Sequence, residues 1–152
     1  MTTISRTIAA LLLTAGLAMA EGWGTDWEAA KAESKKSGKP ILINLTGSDW
    51  CGWCIRLEKK VFTTDAFKAY AKENLILMEA DFPRKKELPA AVKKQNEKLK
   101  DRYLAGGYPT VWMLDHEGNK ISGDLGEFGD DPDKWVKKLK ELVAGYDPKK
   151  AS

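Results

Sequence analysis

Cysteine and histidine are scarce in this chain of 152 residues, which has two of the first and one of the second. A tetrahedral zinc site takes four ligands, commonly from two cysteine pairs. Cys51, Cys54 and His116 fall short of that number, and His116 sits on an expected hairpin turn distant in sequence. No metal is therefore expected. Haem attachment requires a histidine directly after the second cysteine, and Ile55 stands there. An excess of one charge is also missing. Lys and Arg number 25 and Asp and Glu 22, for a formal net charge of +3. Nucleic-acid binding calls for a basic stripe and a strongly raised pI, so no nucleic-acid partner is expected. Internal repeats are absent as well. The longest apolar run, Thr7–Ala20, is short of the roughly 20 residues that cross a bilayer.

That run has another use. Met1–Arg6 forms a short segment with one positive charge, and TIAALLLTAGLAMA closes on Ala18-Met19-Ala20, a small-x-small cleavage pattern. Residues 1–20 are read as a cleaved secretory signal peptide, 21–146 as one domain and 147–152 as a polar tail. No cysteine follows the apolar run, which excludes the usual bacterial lipid attachment. The expected location is outside the cytoplasm, in a bacterial periplasm, with no stable membrane insertion after cleavage, as a monomer. A core of this size needs no disulfide framework, so the cysteine pair is not there for stability alone.

Along the chain, Thr25 or Asp26 can cap a helix that runs to Ser37 and stops at Gly38 and Pro40. Ile41–Leu45 (ILINL) reads as a buried strand. Thr46–Asp49 forms a turn, and a helix carries Cys54 through to about Lys60. A second helix follows a Thr64 cap to Asn74, and Leu75–Ala80 (LILMEA) is a second strand. Leu88–Leu104 reads as an amphipathic helix with Val92, Leu99 and Tyr103 inward, and its charges as a solvated face. Thr110–Asp115 is a third strand, Glu117-Gly118-Asn119 a turn, and Lys120–Leu125 a fourth strand. Asp131-Pro132 opens a last helix, proline being well placed in a first turn. Strands alternating with helices, plus a closing hairpin, predict an α/β fold: a central mixed sheet of about four strands flanked by helices.

Trp50-Cys51-Gly52-Trp53-Cys54 therefore follows a buried strand and opens a helix. The first cysteine lies near free backbone N–H groups and the positive end of the helix dipole, which favour an anion. Because the thiolate is the nucleophile in disulfide exchange, this placement activates Cys51. Cys54, about one turn on, can close a disulfide with it and resolve a mixed disulfide. An inert staple is disfavoured, because so short a loop constrains the unfolded chain little.

GSDWCGWC before a helix, GGYPT further along and WEAAKAESKKSGKPILIN ahead of the site resemble the thioredoxin superfamily. More narrowly, they resemble secreted bacterial thioredoxin-like proteins with a WCGWC site, over Trp27–Val143. The resemblance implies a thioredoxin-like fold and thiol–disulfide exchange with protein substrates, needing no metal or organic cofactor. It implies Cys51 as nucleophile, Cys54 as resolving thiol and a cis Pro109 presenting the Tyr108 backbone beside Cys51. Trp50, Gly52, Trp53, Tyr108 and Pro109 are the expected substrate-binding residues, and protein thiols or disulfides the partners, together with a membrane or soluble redox partner. Two features depart from the pattern. Typical thioredoxins carry a buried Asp in the strand before the site, where this chain has Asn44, leaving Asp49 or Glu58 as substitutes. The dipeptide between the cysteines is Gly52-Trp53 rather than Gly-Pro. Two other uses stay open: a binding or chaperone module without redox turnover, and a dithiol that handles Cu(I), to which soft thiolates are suited. The direction of electron flow is not written in these residues; the reading leans to reductase or general interchange.

Overall fold

A computed structural model describes residues 22–151; the expected signal peptide, 1–20, lies outside the described residues. Helix α1, Trp27–Ser37, starts where the Asp26 carboxylate accepts the Ala29 N–H at 3.0 Å. It stops at Gly38, whose φ of 75° is the left-handed conformation glycine adopts at little cost. Strand β1, Ile41–Thr46, is buried along its whole length, as expected of a central strand covered on both faces. It pairs in parallel with β2, Ile76–Asp81, and antiparallel with β3, Thr110–Leu114, giving the order β2-β1-β3.

Alternation along β1 assigns the two faces. Ile41, Ile43 and Leu45, with Met78 and Ala80 of β2, pack against α1 and against Leu99 and Tyr103 of α4, Ala90–Tyr103. Leu42, Val111 and Met113 face α2, Gly52–Leu57, then α3, Asp65–Asn74, and α5, Pro132–Ala144. The caps Thr64 and Asp131 serve α3 and α5 with side-chain oxygens, which satisfy N–H groups that a helix start leaves unpaired. Asp147 does the same for a 3₁₀ turn at Pro148–Lys150 within the tail.

Three details differ from the sequence reading. The helix after the cysteines is α2 followed by a π-helical turn, Glu58–Phe62, closed by the Thr63 N–H on the Glu58 carbonyl at 3.0 Å. The wider turn lets both Val61 and Phe62 enter the core, with Phe62 against Trp23, Phe67 and Trp135. In α4, Val92 is half-buried, and Asn96 takes an inner position beside Leu99, donating Nδ2–H to the Asp81 carbonyl at 3.0 Å.

The expected fourth strand at Lys120–Leu125 is also corrected, since among the described residues the sheet has three strands. The chain does run beside β3, and the Ile121 and Leu125 N–H groups reach the Met113 and Val111 carbonyls. The return bonds, however, go to side chains: Met113 N–H to Ser122 Oγ at 2.9 Å and Val111 N–H to Asp124 Oδ1 at 3.0 Å. Polar side chains thus replace the backbone carbonyls of a ladder, and a single bridge, Leu114 to Lys120, remains.

Candidate active site

Cys51 is the N-cap of α2, with extended φ/ψ of −84° and 106°, and its Sγ accepts the Cys54 N–H at 3.2 Å. The Ile55 N–H returns to the Cys51 carbonyl at 3.0 Å. The two cysteines are joined in a disulfide with Cα atoms 5.2 Å apart. Both are nearly covered, Cys51 being 6% and Cys54 4% exposed. Facing them, the Tyr108–Pro109 bond is cis, and the Tyr108 carbonyl oxygen lies 3.6 Å from Cys51 Sγ. Gly126 closes in behind: a Cβ there would collide with the Pro109 carbonyl.

The two tryptophans part company. Trp53 is 72% exposed, the most open large apolar side chain among the described residues, with Ile55 and Phe128 next. It borders a groove of about 530 Å³ that also runs past Arg56, Tyr108, Pro109, Glu127 and Asp130. Trp50 is half-buried. Its Nε1–H donates to the Phe82 carbonyl at 2.7 Å, its ring meets Tyr108 edge-on at 5.8 Å, and the Arg84 guanidinium lies 3.8 Å from its centroid. Gly47 is required beneath it, because a Cβ would come within 2.5 Å of the indole. Gly52 opens α2 and is exposed like Trp53, while Tyr108 and Pro109 are half-buried like Trp50.

Asp81, which the sequence reading passed over, holds this loop together with Asp49. Asp81, at the end of β2, accepts Ser48 N–H at 2.9 Å and Ser48 Oγ–H at 2.6 Å, and pairs with Lys86 Nζ at 2.9 Å. Asp49 accepts the Arg84 and Lys85 N–H groups at 2.9 and 2.8 Å. These bonds, the Arg84 N–H first, hold its carboxyl below the usual value. Asp49 is thereby committed to the 82–86 segment.

Under α2 the sheet sets polar groups beside its apolar ones. Asn44 is 4% exposed, and its Oδ1 is buried with no hydrogen-bond partner. Its register partner on β2 is Glu79. Burial, then the Asp81 and Glu58 carboxylates, push Glu79 up to about 7, against the opposing pull of Lys86. Glu58, one turn beyond Cys54, is itself raised by burial, with Lys68 opposing. The available signal was an acid inside LILMEAD at the same alternation as Leu77. Which face that alternation met depended on the register.

A C-x-x-C pair capping a helix, opposite a cis-proline that follows a strand–helix alternation, defines the thioredoxin class of redox folds. The chain belongs to the Thioredoxin-like family, whose model matches residues 22–116. It is 36% identical over 99 residues to the disulfide bond reductase DsbH of Chlamydia pneumoniae, covering 63% of this chain and 60% of that protein. A solved DsbH oxidoreductase superposes with a TM-score of 0.73 at 33% identity, covering 80% of this chain and 83% of that one. The oxidised C-terminal domain of Neisseria meningitidis DsbD shares the fold, with a TM-score of 0.55 at 18% identity over 75% of this chain and 90% of that domain. The chain thus spans about three fifths of the curated relative's length.

Proposed function

We propose that this chain is a secreted thiol–disulfide oxidoreductase that exchanges disulfides with protein substrates in a bacterial periplasm, acting in the reducing direction. The observation that carries the reading is Cys51 Sγ held between the Cys54 N–H and the carbonyl of Tyr108, a residue that lines the Trp53 groove. In the reduced pair, the N–H that now points at Cys51 Sγ stabilises its thiolate. The thiolate attacks one sulfur of a substrate disulfide, and the other substrate sulfur leaves as a thiolate. Cys54 then attacks Cys51 Sγ, closes the Cys51–Cys54 bond and frees the second substrate thiol. An extended substrate strand lies along Tyr108 and Pro109, with Trp53 as an apolar contact.

The reductase name of the 36% identical relative supports the direction. So does the charged n-region and apolar run of residues 1–20 for export. A reductase working in an oxidising compartment requires a donor that renews its dithiol, and a membrane or soluble redox partner fills that place. Among the described residues no helix is long and apolar enough to cross a membrane.

Insulin reduction with dithiothreitol tests the reading. Wild type is expected to accelerate it and Cys51→Ser to fall to the uncatalysed rate; equal turnover in both would leave a binding module instead. N-terminal sequencing of periplasmic material is expected to begin at Glu21.

A further inference from the structure

Exchange chemistry is indifferent to which disulfide reaches Cys51, but the groove beside it is not. Trp53, Leu57 and Pro109 give that groove apolar borders, and Arg56, Asp124, Glu127 and Asp130 give it charged ones. Three of the four charges are already engaged. Arg56 Nε–H donates to Asp130 Oδ2 at 2.6 Å. Asp124 Oδ1 accepts the Val111 N–H at 3.0 Å and the Gly126 N–H at 2.8 Å. Glu127 differs, because its exposed side chain has no hydrogen bond or ion pair among the described residues. The stretch that carries it is nevertheless held. The Phe128 N–H returns to the Leu125 carbonyl at 3.0 Å, and Trp135 Nε1–H donates to the Gly129 carbonyl at 2.8 Å. Glu127 directly follows Gly126, the residue that abuts the carbonyl of the cis-proline. Tyr108 also meets Trp50 and Phe82, at 5.8 and 5.4 Å between ring centroids, and there the neighbouring charges are positive. Arg84 lies 3.8 Å from the Trp50 ring, and Lys100, paired with Glu97, lies 5.8 Å from that of Phe82.

We propose that Glu127 is a specificity-determining residue, which makes the groove prefer disulfides of extended peptides that carry lysine or arginine beside the cysteine. This rests on the oxidoreductase reading above and adds a substrate class to it. Lysine and arginine lay their methylene stems along apolar surface and keep the charged head in water. Trp53 and Leu57 supply that surface, and Glu127 supplies the counter-charge at its edge. An arginine head can in addition stack on the open Trp53 ring. An acidic neighbour of the cysteine finds no free cation in the groove, since Asp130 already holds Arg56, and it meets Glu127 as a like charge. That repulsion rejects the wrong peptide as much as the attraction selects the right one. A basic residue turned toward Trp50 instead meets the Arg84 guanidinium, so the two sides of Tyr108 also favour one direction of the bound strand.

Mixing the reduced full chain with homodisulfides of short peptides tests the proposal, with the released peptide thiol counted over time. One set of peptides has lysine or glutamate directly before the cysteine, and a second set has it directly after. Each lysine-to-glutamate ratio of rates is divided by the same ratio for dithiothreitol as attacking thiol, which removes the reactivity of the peptide itself. Wild type is expected to prefer lysine by about two- to fivefold in at least one set, the range of a partly exposed ion pair. Glu127→Gln is expected to bring that ratio to one, Glu127→Asp to keep it and Glu127→Lys to invert it. An influence of the Glu127 charge on Cys51 moves all peptides together and cancels in the ratio. The wild-type preference is also expected to fade between about 0.01 and 1 M salt, as the Debye length shrinks from about 30 to 3 Å. That arm carries the test if a variant fails to fold. A ratio of one in wild type, or one untouched by Glu127→Gln and Glu127→Lys, would overturn the role of Glu127 alone. No thiol released by wild type from any peptide would overturn the oxidoreductase reading and this proposal with it.

Discussion

The two faces of one three-stranded sheet are built to different standards. Under α1 and α4, Ile41, Ile43, Leu45, Met78 and Ala80 close a face with side chains 0% exposed. Under α2, the same two strands present Asn44 with an orphaned oxygen and Glu79 with a carboxyl pushed to about 7. The first face lowers the free energy of the fold by dry burial. The second buries Leu42, Val111 and Met113 in the same way, but its polar pair works against that burial beneath the helix that carries both cysteines.

Three substitutions break or sharpen that contrast. Leu45→Ala on the closed face removes a fully buried side chain from a packed layer, and denaturant unfolding is expected to show a loss of about 2–5 kcal/mol. Its reducing activity per folded molecule is expected to stay at the wild-type level, because nothing under α2 has changed.

Glu79→Gln on the polar face is expected to do the reverse and stabilise. A carboxyl whose value rises from 4.5 to about 7 on folding binds its proton more tightly in the native state. Wild-type stability from this group is therefore full below about 4.5 and declines as pH climbs to 7. At pH 8 the variant, free of that charge, should exceed wild type by up to about 3 kcal/mol. The gain should vanish at pH 4. A gain equal at both pH values would show that Glu79 is not held in this way.

Trp53→Ala touches neither face. Its unfolding free energy should stay within about 0.5 kcal/mol of wild type. KM for a protein disulfide should rise while kcat holds, the pattern of lost uniform binding.

Much of this was legible in the residues. The alternation of ILINL and the caps Asp26, Thr64 and Asp131 act through local chemistry and are found where they were expected, while the cis Tyr108–Pro109 bond is what the family resemblance implied. What escaped depended on partners distant in sequence. The π-helical turn exists because Phe62 meets Trp23 and Trp135. The fourth strand is absent as a ladder because Ser122 and Asp124 outcompete backbone carbonyls for β3. Nothing local singles out Glu79, which the register sets opposite Asn44, or Asn96, which the Asp81 carbonyl holds inside.

Those same Ser122 and Asp124 bonds have a consequence for the company the protein keeps. An open sheet edge is a template on which foreign chains nucleate. Here Val111 and Met113 have both donors and acceptors spent, and on the far side Gly24 occupies Leu77 and Glu79 with bonds of 2.9 and 2.8 Å. Along these stretches an incoming chain finds no free backbone groups against which to stack.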